Sequence, residues 1–246
     1  MEERRALLEK AKIAEEAGRW EDMVDFLKSV VKLGRELSVE ERNLLANAYK
    51  NNVGAKRAAW RIIMSIEQNI EGANRRKDIS REYRAKIEEE LKVSCNEIIE
   101  LIDKHLINTI DTENQIFYLK MKGDYYRYLA EFCRDTSNDY VFESAKIAYA
   151  EAYELCRENL SPGHPLRLGL TLNFSVFHYE ILEAWETACD MVKESLAAGE
   201  DDLRNLTQSA RNDTAVLLQL LQDNLKIWSV EMDSQNMSSK TPQRYY

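Results

Sequence analysis

Chain-breaking residues are scarce in this sequence, which has only 3 prolines and 8 glycines in 246 residues. A sheet with many strands needs a turn at each strand end, and proline and glycine are the residues that most often supply it. Their scarcity favours long helices. Hydrophobic residues make up 44% of the chain, which is enough to bury a substantial core. We therefore expect an all-α protein.

The apolar residues recur with helical periodicity in about nine segments. Three local signals support the boundaries: Gly34 can end a helix in the left-handed conformation, Ser38 and Glu41 match a capping box, and Pro165 suits a first helical turn. The predicted helices are 3–17, 20–33, 39–70, 75–106, 112–134, one that carries Ala145 to Leu155, one from Pro165, 185–198 and 212–231.

The connections between these segments are short, which favours antiparallel neighbours. No linker interrupts the helical pattern, so we predict a single domain over residues 1–231. The final stretch, 232–246, is polar, and we predict a disordered C-terminal tail.

Charge and composition exclude several classes of function. The formal net charge of −9 disfavours nucleic acid and anionic membranes as general partners. No apolar run approaches the roughly 20 residues that a membrane-spanning helix needs, and the start of the chain is unlike a signal peptide. The 4 cysteines form no CxxC pair, which is typical of buried or free thiols in a reducing compartment. We expect a cytoplasmic or nuclear protein without membrane insertion.

Catalytic and cofactor motifs are missing from the sequence. It has 3 histidines, none in an HExxH motif or at a metal-binding spacing, and it has no phosphate-cradling glycine loop. We therefore expect no enzyme activity, no cofactor and no metal.

Polar groups recur seven residues apart in three segments. The pairs are Lys50 with Arg57, Lys120 with Arg127, and Asn173 with Glu180. Seven residues of α-helix rise roughly 10 Å and return to nearly the same face. Four of the six groups are cations in an acidic chain, which suggests a local site for an anion.

The two cationic pairs each flank a glycine. Gly54 lies one turn from Lys50 and Arg57, and its missing side chain leaves open space between them. In the fifth helix, Tyr128 follows Arg127 and can donate a hydroxyl group. Two or more cations with a neutral donor are a set that suits phosphate. The alternative for the cations is an ordinary solvated basic face, and the alternative for Tyr128 is a tyrosine of the core.

Two further helices combine amides with apolar side chains. Asn173 and Asn224 border apolar residues, and an amide can bond both the N–H and the C=O of an extended peptide. The alternative is a solvated asparagine at each position. Together with the cationic faces, these helices would form an amphipathic groove.

Four segments, RNLLANAYKN, GDYYRYLAE, HPLRLGLTLNFSVFHYEI and LLQLLQDNLKIW, closely resemble the hallmark segments of 14-3-3 proteins. The resemblance covers residues 3–231. It implies nine antiparallel helices, a cup-shaped dimer and one amphipathic groove per subunit for a phosphoserine or phosphothreonine peptide.

Matching motifs assign expected roles to individual residues. The phosphate would be held by Lys50, Arg57, Arg127 and Tyr128. The rest of the peptide groove would comprise Arg61, Lys120, Leu172, Asn173, Val176, Glu180, Leu220, Asn224 and Trp228. The dimer interface would include the pairs Arg19 with Glu90 and Asp22 with Lys86, around an apolar centre of Ile13, Ala17, Ile63 and Tyr83. Among the departures from the family, His178 replaces a common tyrosine.

The resemblance implies a non-enzymatic adaptor that clamps phosphorylated client proteins as a homodimer or as a heterodimer with related subunits. The alternative is a tetratricopeptide-like helical scaffold that binds unphosphorylated peptides. Two segments carry the small-residue spacing of such repeats, but a strict 34-residue period is missing.

Overall fold

A computed structural model of the chain describes residues 2–72, 74–133, 139–203 and 206–239, without the side chains of 209, 210 and 233–239. Within these residues it contains nine α-helices and no strand, which confirms the all-α prediction. The helices are α1 (Glu2–Glu16), α2 (Trp20–Lys32), α3 (Val39–Gln68), α4 (Arg75–Leu101), α5 (Thr112–Ala130), α6 (Asp139–Asn159), α7 (Pro165–Val176), α8 (Trp185–Asp202) and α9 (Gln208–Ser239). A π-helical turn extends α4 over Ile102–Leu106, and another extends α7 over Phe177–Ile181.

The local signals for helix ends behave as predicted. The Glu41 N–H donates to Ser38 Oγ at 3.2 Å, and the Ser38 N–H donates to Glu41 Oε2 at 2.9 Å, which completes the capping box before α3. Gly34, after α2, has a φ of 74°, in the left-handed region that glycine adopts without a steric penalty. Pro165 occupies the first turn of α7.

Two predicted helix ends were wrong. We expected α5 to continue to about 134, but it ends at Ala130, where the chain tightens into a turn with the Cys133 N–H 3.4 Å from the Ala130 carbonyl. We expected the last helix over 212–231, but α9 begins at Gln208 and reaches Ser239. Neither glycine nor proline occurs between these two residues, and a polar composition alone does not end a helix.

The longer α9 also corrects the expected tail. Residues 232–239, predicted to be disordered, are helical. The remainder of the predicted tail, 240–246, lies outside the described residues. The chain divides into two compact units, Met1–Ala145 and Lys146–Tyr246. The single domain expected over 1–231 stays a prediction.

The first unit buries side chains between helices that follow one another in the chain. In it α1 packs on α2, α2 on α3, α3 on α4 and α4 on α5. Its largest fully buried side chains include Tyr49, Met23, Leu27, Leu45 and Leu91. The Tyr49 hydroxyl satisfies its polar tip by donating to Glu97 Oε1 at 2.8 Å. This core fixes the relative positions of the helices that carry the cations.

The second unit packs α7, α8 and α9 against one another. Their shared core consists of Leu168, Ala188, Cys189, Val192, Leu218, Leu221 and Trp228. On the α6 side, Tyr149 stacks on Phe174 with ring centroids 5.2 Å apart. All four cysteines of the chain are buried. No helix in the described part of the chain is long and apolar enough to span a bilayer.

Candidate functional site

A shared carboxylate joins α3 to the end of α5. Glu131, the residue after the last residue of α5, accepts from Arg57 Nε at 3.1 Å on Oε2 and from Arg57 Nη2 on Oε1. This is a two-point contact, the arrangement that a planar guanidinium group makes best with a carboxylate. The Glu131 side chain is 9% exposed, so solvent screens the pair only weakly.

The same carboxylate contacts two more arginines. Arg61 Nη2 lies 3.4 Å from Glu131 Oε2, and Arg127 Nη1 lies 3.7 Å from Glu131 Oε1. The guanidinium groups of Arg57 and Arg127 therefore approach one oxygen atom, although they come from different helices. This contact brings together two of the residues that sequence matching assigned to the phosphate.

Tyr128 lies against both of these arginines. Its ring centroid is 3.8 Å from Arg57 Cζ and 4.7 Å from Arg127 Cζ, distances at which cation–π attraction operates. Burial raises the pKa of the Tyr128 hydroxyl, Asp124 raises it further, and the neighbouring cations, Arg127 foremost, oppose the rise. The hydroxyl is therefore neutral at physiological pH and can donate a hydrogen bond.

Lys120 joins this group through a second carboxylate. Its Nζ donates to Asp124 Oδ2 at 2.9 Å, and Arg127 Nη2 lies 3.8 Å from Asp124 Oδ1. With Lys50 and Arg61 included, the predicted set on α3 and α5 has five cations, and Asp124 and Glu131 offset two of these charges. We call these seven residues with Tyr128 the basic cluster. It has an excess of three positive charges in a chain whose net charge is −9.

Lys50 differs from the other four cations of the basic cluster because no ion pair to it occurs among the described residues. Like Arg61, it is exposed on α3. Between Lys50 and Arg57, a Cβ added to Gly54 would meet no atom within 4 Å. The open space expected at this glycine is therefore present, and an incoming group can approach the α3 backbone there.

The second unit contains the remaining predicted groove residues. Trp228 on α9 is 5% exposed, and its ring stacks on Tyr179 with centroids 4.4 Å apart. The Tyr179 hydroxyl donates to Glu231 Oε2 at 2.6 Å. Trp228 is thus a core residue here, because a large aromatic ring between α7 and α9 gains more from packing than from exposure. Its expected role in lining the apolar wall of a peptide groove stays a prediction.

Other groove residues lie at the surface or partly below it. Leu172 and Val176 on α7 are partly buried against the same core as Trp228. Asn173 and Asn224 are half-buried, and Glu180 is exposed in the π-helical turn after α7. Leu220 on α9 is 44% exposed. Their assignment to a peptide groove stays a prediction.

An exposed apolar stripe follows α9 through Leu220. Val216 and Ile227 are 62% and 56% exposed, and Val230 is 66% exposed. These positions return to one side of the helix, whereas Leu221 and Trp228 are buried on another. Exposed apolar side chains in a row typically mark an interaction surface.

The eight residues predicted at the dimer interface all belong to the first unit. Five of them help to line one cleft of about 520 Å³: Arg19, Asp22, Tyr83, Lys86 and Glu90. Within the chain, Arg19 pairs with Asp22, and Lys86 lies 3.9 Å from Glu90. These are the charges that the family resemblance pairs between subunits.

The apolar interface residues differ in exposure. Ile13 and Tyr83 are 58% and 55% exposed, and Ala17 is also exposed. Ile63, in contrast, is 9% exposed and belongs to the core of the first unit, so it offers little surface to a partner. The interface itself stays a prediction.

Sequence reasoning missed two features of these surfaces. Glu131 was not assigned a role, although its spacing from Arg127, one helical turn, could have indicated an ion pair. Val216 was also missed, and its spacing of four residues from Leu220 was the available signal.

Comparison with known proteins identifies the family. The family model described as 14-3-3 protein matches residues 10–229. The chain is 48% identical to 14-3-3 protein beta/alpha of Gallus gallus and 47% identical to 14-3-3 protein beta/alpha-A of Xenopus laevis, with 92% of this chain and 93% of each relative covered. It is 47% identical to 14-3-3 protein zeta of Bombyx mori over 91% of both chains. This chain belongs to the 14-3-3 family.

Proposed function

We propose that this protein binds peptides that contain phosphoserine or phosphothreonine, with the phosphate held by Lys50, Arg57, Arg127 and Tyr128. One observation carries the proposal: Arg57 and Arg127, from separate helices, reach the same carboxylate oxygen of Glu131 and the same tyrosine ring. Two guanidinium groups and a neutral hydroxyl donor within one small region are the groups that a phosphate dianion requires.

The charge of the basic cluster favours phosphate over an unmodified side chain. A phosphorylated serine carries about −1.5 to −2 charges at neutral pH, and an excess of three positive charges is present to receive it. A serine hydroxyl offers no charge to this cluster. The gain from phosphorylation is therefore electrostatic and arises in the first unit.

The second unit supplies interactions that do not depend on phosphate. We propose that Asn173 and Asn224 bond the peptide backbone, and that Glu180 orients the bound peptide. The exposed side chains of Val216, Leu220 and Ile227 would contact apolar side chains of the peptide. Contacts of this kind add affinity and select among sequences around the phosphosite.

We further propose that the protein acts as a dimer, without enzyme activity, and that it clamps phosphorylated client proteins and so regulates their conformation, location or activity. Membership of the 14-3-3 family supports an adaptor of this kind. Two sites on one frame raise the effective concentration of a second phosphosite after the first has bound. Sedimentation velocity measures the assembly directly, and a purely monomeric chain at micromolar concentration would contradict this part of the proposal.

Fluorescence anisotropy tests the binding function. The probe is a labelled Arg-x-x-phosphoserine-x-Pro peptide, and the control is the same peptide without phosphate. We expect at least a hundredfold preference for the phosphorylated peptide, which corresponds to roughly 3 kcal/mol. Equal affinities would instead support the alternative, a helical scaffold for unmodified peptides.

A further inference from the structure

We propose that Glu131 is a positioning residue for phosphopeptide binding, and that it acts through the guanidinium group of Arg57. The inference rests on the proposed function, because it explains how the phosphate-binding arginines are held in place. Glu131 contacts Arg57, Arg61 and Arg127 with a single carboxylate that is 9% exposed.

The geometry of the contact leaves one side of Arg57 available. Glu131 accepts hydrogen bonds from Nε and Nη2, which form one edge of the guanidinium plane. The group is rigid and planar, with five N–H donors in fixed directions. When one edge is held by a carboxylate, the direction of the Nη1 donors is fixed as well. Arg57 can therefore present a preorganised edge to a phosphate.

The carboxylate also holds like charges together. Arg57 and Arg127 both approach Glu131 Oε1, and both lie against the Tyr128 ring. Without a negative charge between them the two guanidinium groups would repel, and the more exposed Arg57 could turn toward solvent. Each incoming ligand would then have to bring the two arginines back together, and this cost would lower the affinity for the ligand.

This role predicts a result opposite to that of simple electrostatics. Replacing Glu131 by glutamine removes a negative charge from an anion site, so Coulomb attraction alone would make a phosphopeptide bind more tightly. If Glu131 positions Arg57, the same replacement makes binding weaker, although the net charge has become more favourable. The direction of the change in Kd therefore discriminates between the two roles.

The test uses the full chain with Glu131→Gln and the labelled Arg-x-x-phosphoserine-x-Pro peptide. We expect its Kd to rise on the order of tenfold, as for second-layer partners of other preorganised sites. The Kd of the unphosphorylated peptide should stay unchanged, because it does not engage the arginines. A general loss of structure would instead weaken both peptides.

A matched control exists in the same two helices. Glu113 on α5 contacts Arg42 on α3 at 3.2 Å, so Glu113→Gln makes the same chemical change to the same kind of pair. Residue 113 is 18 positions before 131, roughly 27 Å along a helix, which exceeds the screening length in physiological salt. We expect Glu113→Gln to leave both peptide affinities within twofold of the wild type.

Two further variants locate the effect in Arg57. Glu131→Asp keeps the charge and should bind the phosphopeptide more tightly than Glu131→Gln does. If thermal unfolding shows that Glu131→Gln folds poorly, Glu131→Asp replaces it as the test variant. In an Arg57→Lys background, which keeps the charge but loses the planar fork, adding Glu131→Gln should change the Kd less than twofold.

Several results would overturn the inference. They are tighter or unchanged phosphopeptide binding by Glu131→Gln, equal losses in Glu131→Gln and Glu113→Gln, or the full tenfold loss in the Arg57→Lys background. If the wild-type chain itself does not prefer the phosphorylated peptide, the proposed function fails and this inference fails with it. If the wild type prefers it and Glu131→Gln binds equally well, only the positioning role is refuted.

Discussion

The basic cluster of the first unit and the apolar stripe of the second unit differ in how far their side chains are exposed to solvent. In the cluster, Arg127 and Glu131 each have side chains 9% exposed. Glu131 balances the charge of Arg127, one turn away, and also that of Arg57 on another helix. In the stripe, Val216 and Ile227 are more than half exposed on a single helix, α9. The cluster depends on how helices pack, whereas the stripe depends only on which side of one helix faces outward.

This difference teaches which residues can be changed without damage to the fold. A buried ion cluster couples binding to structure, because each charge has partners whose loss is costly. An exposed apolar stripe is separate from the core, so its residues can vary while α9 stays packed through Leu221 and Trp228. Lys50 and Arg61 are exceptions in the first unit, since both are cluster cations that are exposed.

The largest effect is expected from Lys50→Glu, which tests the cluster at an exposed cation that has no ion pair among the described residues. The change shifts the local charge by two units and places a carboxylate where phosphate should bind. We expect phosphopeptide affinity to fall by more than about a hundredfold, or about 3 kcal/mol, in anisotropy or calorimetry. Helix content by circular dichroism should stay at the wild-type level because the side chain is exposed.

Lys193→Glu is the control for this charge reversal. Lys193 is 61% exposed on α8 and makes a surface pair with Asp190 at 3.4 Å. The Lys193→Glu variant should bind the phosphopeptide with the same affinity as the wild type. Normal affinity in Lys50→Glu would remove Lys50 from the phosphate site.

A neighbouring pair of leucines separates the two roles of α9. Leu221 is fully buried, and Leu221→Ala should lower the free energy of unfolding by about 2–5 kcal/mol. Leu220 is 44% exposed, and Leu220→Ala should change that free energy by less than about 0.5 kcal/mol. Denaturant unfolding measures both values.

For peptide affinity the order should be reversed, with Leu220→Ala having the larger effect and Leu221→Ala the smaller. Leu220→Ala should weaken phosphorylated and unphosphorylated peptides by the same factor, roughly fivefold, since about 1 kcal/mol of apolar contact is lost. An effect confined to the phosphorylated peptide would show that the stripe and the cluster are not independent. No effect on either peptide would remove Leu220 from the groove.

The smallest effect is expected from pH, at His178 in the second unit. Burial lowers the pKa of His178 below its usual value, Lys146 lowers it further, and the Nδ1 atom is buried without a hydrogen-bond partner among the described residues. The folded state therefore favours the neutral ring. This contribution to stability is fully present above about pH 6.5 and is lost as pH falls toward the lower folded-state value.

His178→Phe should flatten the decline of stability between pH 7 and pH 5, because phenylalanine can keep the contact with Phe174, whose ring centroid is 4.6 Å from that of His178. Proton NMR of the His178 ring gives its midpoint directly. A midpoint at or above 6.5 would contradict the prediction.

Local signals made most helix starts predictable. Ser38 with Glu41, and Pro165 in the first turn of α7, act within a few residues of themselves, so the sequence alone reveals them. The end of α9 was not predictable from polarity, because the helix continues through a polar segment until Ser239. Helix ends without a glycine or proline depend on packing and on weak propensities.

The candidate site was predictable only in part. Periodicity placed Lys50 with Arg57 and Lys120 with Arg127 on shared helix faces, and motif similarity identified the family. Neither could give the contact of Glu131 with Arg57, because these residues are 74 positions apart and meet only when α3 and α5 are fixed in space. The burial of Ile63 and Trp228 was likewise hidden, since an apolar side chain on a helix can face either the core or a partner.

What the sequence determined by itself is the helical class, most helix starts and the face on which each cation lies, because helix periodicity and capping act over a few residues. Tertiary structure decided which cations share a carboxylate, which apolar residues are exposed, and that one glutamate contacts three arginines. These features depend on distances between separate helices, which are set by the packing of the whole core.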